Sequence, residues 1–456
     1  MQEHNLGEIE KKVLSAITPK ESEIREERLV AEKAMKRILS VKGKHVRAVL
    51  AGSLARNTHL RGDKDIDLFV MFPKELPRKE FEKEGLRVAK KAFAKTKWQV
   101  DYGEHPYLKT VFLGHELEVV PSYDVRSASE KQSAVDRSPF HNAYLLSRMG
   151  KGQEGEIRLL KKFMKGIGCY GAELKTRGFS GYLCELLVLA NGTFAKTLEA
   201  ARKWKSGTII DIEKQWKSKK ELAKKFPRDS LIVIDPTDRN RNVAAAVDGE
   251  KFSQFRKSAK EFLSHPSTEF FFPKEIKQLS KKELWKRLEK RKLLVIAFPH
   301  LKAHEDVIYG QLRKGANRLK RHLEMHEFKV KKYGVFSDEK TRNAIVFELE
   351  KLELPEKILR RGPPESMKGH AKAFIEKHKK HGKHRVIDGR IHVEIPRKHV
   401  HAKSVGLEFA FAEREGGKSW LEKCAKKGFA IWEGFEAAEL AEKPPLSRFV
   451  STFLME

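Results

Sequence analysis

A chain of 456 residues with 94 lysines and arginines against 63 acidic residues carries a formal charge of +31, far beyond what solubility requires, so a polyanionic partner is expected, with nucleic acid as the first candidate. No apolar run approaches the roughly eighteen residues of a membrane helix, and Met1-Gln2-Glu3-His4 opens without a signal-peptide pattern, which predicts a soluble, cytoplasmic protein. Cys169, Cys184 and Cys424 form no Cys-x-x-Cys pair, which argues against a disulfide framework and a cysteine-based zinc site.

The length predicts about three domains, read as residues 1–145, 146–272 and 273–456 of an α+β multidomain fold. Residues 21–39 form a charged amphipathic helix with Ala31, Met35, Ile38 and Leu39 on its stripe. Val46 to Ala51 has the composition and length of a strand, and Gly52-Ser53 then turns the chain before a series able to start a helix. Free N–H groups at such a start suit phosphate oxygens. In Asp65-Ile66-Asp67-Leu68 the alternation of acid and apolar residues predicts a strand, with both carboxylates on one face and Ile66 and Leu68 on the other. A helix over 80–94 follows, then strands over 107–113 and 117–120, with Glu116 and Glu118 at strand spacing. From Lys151 the pattern becomes helical, with Leu183, Leu186, Leu187, Ala190 and Phe194 as one buried stripe, so the middle region is expected to be mostly α.

A phenylalanine cluster, Phe270-Phe271-Phe272, precedes a basic helix over 281–292, and a boundary is placed there. Beyond it, a strand at 293–298, a helix carrying Ile308, Leu312, Ala316, Leu319 and Leu323, and strands at 328–336 and 343–349 give the order β-α-β-β. That order is part of a ferredoxin-like or RNA-recognition-like layout. Residues 368–403 are rich in histidine and lysine without a metal-ligand spacing, and read as a basic, RNA-facing or solvated surface. Arg313, Arg318, Lys320 and Arg321 are further candidates for phosphate-backbone contact.

Two carboxylates on one strand face are hard oxygen ligands suited to magnesium. A lone Asp-x-Asp is usually solvated surface, but here a phosphate-holding turn precedes it and a second acidic strand follows. Those are the parts of a two-metal phosphoryl-transfer site, with three carboxylates shared between two ions.

Five stretches carry a resemblance: Gly52 to Phe69; Glu104-His105-Pro106-Tyr107; Ser133 to His141; Arg177 to Leu186; and Asp235-Pro236 through Arg241 to Ala245. Together they resemble the archaeal, class I CCA-adding enzymes, closely to about residue 260 and more loosely beyond. Those are tRNA nucleotidyltransferases of the polymerase-β-like superfamily, which add C, C and A to the tRNA 3′ end without a nucleic-acid template. The resemblance implies a polymerase-β-like head, a helical nucleotide-binding middle and a C-terminal α+β tRNA-binding region. It implies two Mg2+ ions on Asp65, Asp67 and Glu118 as the catalytic set. It also implies ATP and CTP bound by Ser53, Arg56, His141, Lys161 and Tyr170, with Arg241 helping to select the base. tRNA is the implied partner and a homodimer the implied assembly. Asp65 and Glu118 depart from the family pattern, which has Glu at the first position and Asp at the third; a shorter arm on one strand and a longer one on the other are expected to compensate.

Each residue has a plainer reading. Ser53 could simply cap a helix, Arg56 and Lys161 could be surface charges, Tyr170 could be a packing residue and His141 a structural histidine, while Arg241 could brace the middle region through a carboxylate. The rival functions are a poly(A) polymerase-like nucleotidyltransferase and a non-catalytic RNA-binding protein with a degenerate nucleotidyltransferase fold.

Overall fold

Residues 2–63, 65–275 and 277–455 are described by the computed structural model, and their contacts divide the chain between Lys274 and Glu275 into two units. The first opens with helices α1 (Gln2–Ile17) and α2 (Glu21–Ser40), strand β1 (Arg47–Leu50), the single turn α3 (Gly52–Ala55) and strand β2 (Asp65–Pro73). Helix α4 (Arg78–Ala92) and strands β3 (Trp98–Tyr102), β4 (Pro106–Phe112) and β5 (His115–Asp124) complete the head. The sheet order is β1-β2-β5-β4-β3, with β2 and β5 parallel and every other pair antiparallel.

The period of two in β2 decides which face becomes a site. Ile66, Leu68, Val70 and Phe72 point to the side covered by α2 and α4, where they meet Val30, Ala34, Ile38, Phe81 and Val88. Phe69 and Met71 point the other way and pack with Ala51 and Val120 in a smaller core, which leaves Asp65 and Asp67 at the uncovered end of that second face. The stripe of α2 differs from expectation at one residue. Val30, Ala31, Ala34 and Ile38 are buried at helical spacing, whereas Leu39, one step round the helix, is half exposed.

The rest of this unit contains α5 (Ser138–Arg148), α6 (Gln153–Gly166), α7 (Gly181–Asn191), α8 (Phe194–Ala201), β6 (Thr208–Ile210), α9 (Lys219–Lys225), β7 (Leu231–Asp235), β8 (Asp238–Asn242) and α10 (Gly249–Ser264). The middle region therefore includes a three-stranded sheet of order β6-β7-β8 among its helices, which the mostly helical reading did not anticipate. Its central strand is the fully buried run Leu231–Asp235. The expected single stripe from Leu183 to Phe194 is also broken. Helix α7 stops at Asn191, Gly192 takes φ +91, and the Thr193 hydroxyl accepts from Lys196 N at 3.2 Å to cap α8. Ala190 is consequently exposed, while Phe194 enters the core from a second helix. Phe163, Phe194, Phe262, Phe270 and Phe271 pack their rings together, so two of the three clustered phenylalanines belong to this core while Phe272 is exposed.

The second unit contains α11 (Lys281–Leu288), β9 (Lys292–Pro299), α12 (Glu305–Met325), β10 (Val330–Ser337), β11 (Arg342–Leu349), β12 (Lys357–Pro364), α13 (Lys368–His378), β13 (His384–Ile387), β14 (Arg390–Pro396), α14 (Ala402–Gly416), α15 (Trp420–Lys426), β15 (Ala430–Glu433) and α16 (Leu446–Met455). Strands β10, β11, β9 and β15 form an antiparallel sheet in that order. Leu294, Ile296 and Phe298 face α12 and α14, while Leu293, Val295 and Ala297 face α11 and α16. Both faces are covered, which is why β9 reads as an unbroken apolar run. The histidine-rich stretch is mostly exposed and has regular structure. It folds as α13, β13 and β14, in a separate sheet of order β12-β14-β13. Arg318 forms an ion pair with Glu413 at 2.5 Å and keeps a side chain that is 44% exposed. No helix among the described residues is long and apolar enough to cross a membrane.

Candidate active site

The parallel pairing of β2 with β5 sets Asp65 opposite Glu116 and Asp67 opposite Glu118, so four carboxylates share one sheet face. Asp65, Glu116 and Glu118 line a cleft of about 490 Å³ with Lys97, Trp98 and Lys109. Burial raises the Asp67 carboxyl to about 6, and the charges of Glu118 and Asp65 add to this against Arg56 and Lys109. Asp65 is raised as well, by burial and then by Glu116, Asp63 and Glu118. Crowded carboxylates of this kind favour a bound cation, which would relieve both the burial and the repulsion. As the side chains stand, no three His, Cys, Asp or Glu among the described residues form a set that could hold a metal ion. Lys109 on β4 donates to Glu118 at 2.9 Å and so occupies that carboxylate. The donor chemistry, hard oxygens on adjacent strands, fits magnesium.

The turn before β2 is built against this face. Gly52 takes φ +69, and a β-carbon there would lie 1.8 Å from Asp67 Oδ2, so both the conformation and the space require glycine. Ala51 N donates to Asp67 O at 2.9 Å, which joins the turn to the acid strand. Ser53 lies inside the single turn α3, too short for a helix dipole to matter, and any phosphate there would meet the turn's own N–H groups.

Behind the turn, two predicted residues, Arg56 and Lys161, converge on an acid without an assigned role. Glu185, fully buried on α7, pairs with Lys161 Nζ at 2.9 Å and Arg56 NH2 at 3.0 Å and accepts from the Thr58 hydroxyl. Burial alone would raise its pKa, but Lys161, Arg56 and the Thr58 hydrogen bond overcome that and bring it to about 2. Lys161 also donates to Thr58 O at 3.2 Å and to Thr58 Oγ1 at 3.0 Å, so its ammonium is engaged within the protein rather than lying on the surface. Two cations against one anion leave a positive charge at this spot. Tyr170 joins them: a β-carbon on Gly181 would sit 2.9 Å from the Tyr170 hydroxyl oxygen and 3.8 Å from Lys161 Nζ. One turn before Lys161, Arg158 holds the loop after α3 through His59 O at 2.9 Å and Asn57 O at 2.7 Å.

A second node gathers the other two predicted residues. Asp235, at the end of β7, accepts from Arg241 NH1 at 2.7 Å and pairs with His141 Nε2 at 2.9 Å, while the His141 ring stacks on Tyr182 at 4.0 Å. His141, Arg241 and further hydrogen bonds hold the Asp235 carboxylate well below its usual range despite burial. Burial lowers the pKa of His141, opposed by Asp235, so the neutral ring is favoured. A neutral ring that donates from Nε2 keeps Nδ1 as an acceptor. Arg241 thus has the carboxylate partner of its plainer reading, with its side chain still 31% exposed. Upstream, buried Asp136 accepts from Ser122 Oγ and from the backbone N–H groups of Tyr123, Gln132 and Ser133, and fixes the start of the segment that carries His141.

Glu185, Asp235, Asp136 and Lys109 were not singled out from the sequence. Glu185 did leave a signal as the one acid inside the run Leu183–Leu189, and Asp235 as the acid that ends Leu231–Ile234.

The family model described as a nucleotidyltransferase domain matches residues 32–141, that of the second domain of tRNA nucleotidyltransferase matches 155–272, and that of the CCA-adding enzyme C-terminal domain matches 289–434. The CCA-adding enzyme of Methanosarcina mazei is 39% identical over 445 residues, covering 94% of this chain and 95% of its own. Those of Pyrococcus abyssi and Archaeoglobus fulgidus are 37% and 36% identical, covering 77% and 82% of this chain and 79% and 82% of theirs. With an acid-faced head, a buried cationic node behind it and relatives matched nearly end to end, the chain belongs to the family of CCA-adding enzymes.

Proposed function

We propose that this protein builds and repairs the 3′-terminal CCA of tRNA, using CTP and ATP and releasing pyrophosphate. The observation that carries this reading is the acid face, Asp65 and Asp67 in register with Glu116 and Glu118 beside the Gly52 turn, in a chain of this family. Asp65, Asp67 and Glu118 would hold two Mg2+ ions. Bound there, magnesium supplies Lewis-acid stabilisation of the attacking 3′-hydroxyl and of the triphosphate.

The chain's own residues position the reactants. Ser53 and the turn N–H groups meet triphosphate oxygens from one side. Arg56, Lys161 and Tyr170 supply charge and a hydroxyl from the other, Lys161 acting through its field while Thr58 and Glu185 hold it. His141 and Arg241, fixed on Asp235, face the choice of base. An acceptor such as His141 Nδ1 is satisfied by the exocyclic amino group of cytosine or adenine and is left unmet by the carbonyl of uracil or guanine. The basic surface of the second unit would hold the tRNA backbone without reading sequence. The assembly is proposed as a homodimer, checked by sedimentation, and the place of action as the cytoplasm.

The test is incorporation on tRNAs ending before, within and after CCA, with each of the four nucleotides offered singly. C, C and A in that order, then arrest, is the expected product. Asp65→Asn combined with Asp67→Asn should abolish incorporation and leave tRNA affinity nearly intact; retained incorporation would place the chemistry elsewhere.

A further inference from the structure

Across the head sheet, one row of side chains runs past the acid pair. Asp67 on β2 faces Glu118 on β5 and Glu118 faces Lys109 on β4, while Asp101 on the outer strand β3, in register with Tyr107 two residues from Lys109, reaches Lys109 diagonally. Lys109 Nζ sits 2.9 Å from Glu118 Oε1 and 3.2 Å from Asp101 Oδ2, with the Tyr107 hydroxyl 3.4 Å from that same Asp101 oxygen. A lysine carries three donors, so it can serve both carboxylates together and lean toward either. All three side chains are partly screened from solvent, at 21–36% exposure, so the contacts are stronger than a surface pair would be.

We propose that Lys109 is a positioning residue for Glu118. It holds the longer carboxylate arm and supplies a stand-in positive charge on the acid face, and Asp101 takes up its charge when a divalent cation claims Glu118. Nothing in the nucleotide nodes around Glu185 and Asp235 involves Lys109. Its role is confined to the acid face and rests on the reading of that face as the metal site.

Two variants separate this role from a merely structural one. Lys109→Met removes the stand-in charge. Its kcat for adding C to tRNA lacking its 3′ end should fall about tenfold or more, as misplaced reacting groups do, while the KM for CTP stays within about threefold. Its Mn2+ affinity, followed by the resonance of the free ion with no RNA or nucleotide present, should rise, because a competing cation has left. Asp101→Asn does the opposite: Lys109 then leans on Glu118 alone, and Mn2+ binding should weaken. An unchanged kcat in Lys109→Met, or Mn2+ affinities that move the same way in both variants, would overturn the proposal. If Lys109→Met does not fold, Asp101→Asn decides, weaker Mn2+ binding supporting the role and unchanged or tighter binding overturning it. A wild-type protein that adds no C would refute the proposed function, while the Mn2+ titrations would still decide the part played by Lys109.

Discussion

Glu185 shows how one acid can organise residues from distant parts of the chain. It brings Arg56 from the turn after β1 and Lys161 from α6 to a single point on α7, and each is almost fully buried. A buried pair of this kind is weak evidence for stability in itself, but breaking it strands uncompensated charge. Glu185→Gln keeps the shape and removes the anion, so it should cost about 3–5 kcal/mol in urea unfolding at neutral pH. The pH dependence has a definite sign. The folded carboxyl, at about 2, lies below its ordinary value of 4.5, so its contribution is present above pH 4.5 and is lost as the pH falls toward 2. Wild type should therefore lose stability across that window and converge on Glu185→Gln at its lower end. Parallel curves for the two proteins would show that Glu185 contributes nothing by its charge. The site's other acid anchor, Asp235, differs in keeping a partner, Arg241, that is 31% exposed, where Arg56 and Lys161 on Glu185 are almost fully buried.

At the scale of elements, what could be read from sequence was whatever is local. The alternation in Asp65–Leu68 predicts a strand with both acids on one face because a half-buried strand must put its apolar residues on the other, and β2 has that arrangement. The pairing of Asp67 with Glu118 was not legible, since a parallel register between distant strands is set by packing and by the crossover rather than by any local pattern. Lys109 was hidden for the same reason: only the register of β4 against β5 reveals that a lysine in an unremarkable strand faces a carboxylate. The short strands β6, β7 and β8 lie between helices and carry too few residues to announce a period, so the middle region read as helical. In the histidine-rich stretch, charge masked the pattern: Ile391 and Val393 alternate as buried residues of β14, but basic neighbours surround them. One junction was legible in outline. Gly52-Ser53 reads as a turn after a strand, and the structure adds the reason for the glycine in the carboxylate that lies where its side chain would be. Gly52→Ala should cost about 1–3 kcal/mol for the strained conformation, and it should push Asp67 away from the acid face, with nucleotide incorporation falling more steeply than thermal stability. Stability and activity that decline together would mean that the turn only supports the fold.

For the whole molecule, the decisive quantity is charge. Each unit completes its own apolar core, the first around Phe163 and around β2, the second on both faces of β9. Packing therefore does not explain a formal charge of +31. Few of the cations are withdrawn from solvent, among them Arg56, Lys161 and Arg158, which are buried. What remains is a large excess of exposed lysine and arginine, much of it in the second unit, on α11 and along 368–403, where no nucleotide-site residue lies. Excess charge of this kind binds phosphates by releasing condensed counterions, so affinity for tRNA should fall linearly in log–log form as salt rises. If between six and ten phosphates are contacted, as order of magnitude, raising salt from about 50 to about 200 mM should weaken binding by on the order of 10³-fold or more. Incorporation of C at saturating tRNA should change far less over the same range, because binding is then saturated and the cations of the Glu185 node are buried, where salt screens little. Filter binding and single-turnover incorporation in the same salt series test the pair of expectations. A shallow binding slope would mean that the charge serves some other partner, and an incorporation rate that falls as steeply as binding would mean that the backbone contacts also set the 3′ end in the site.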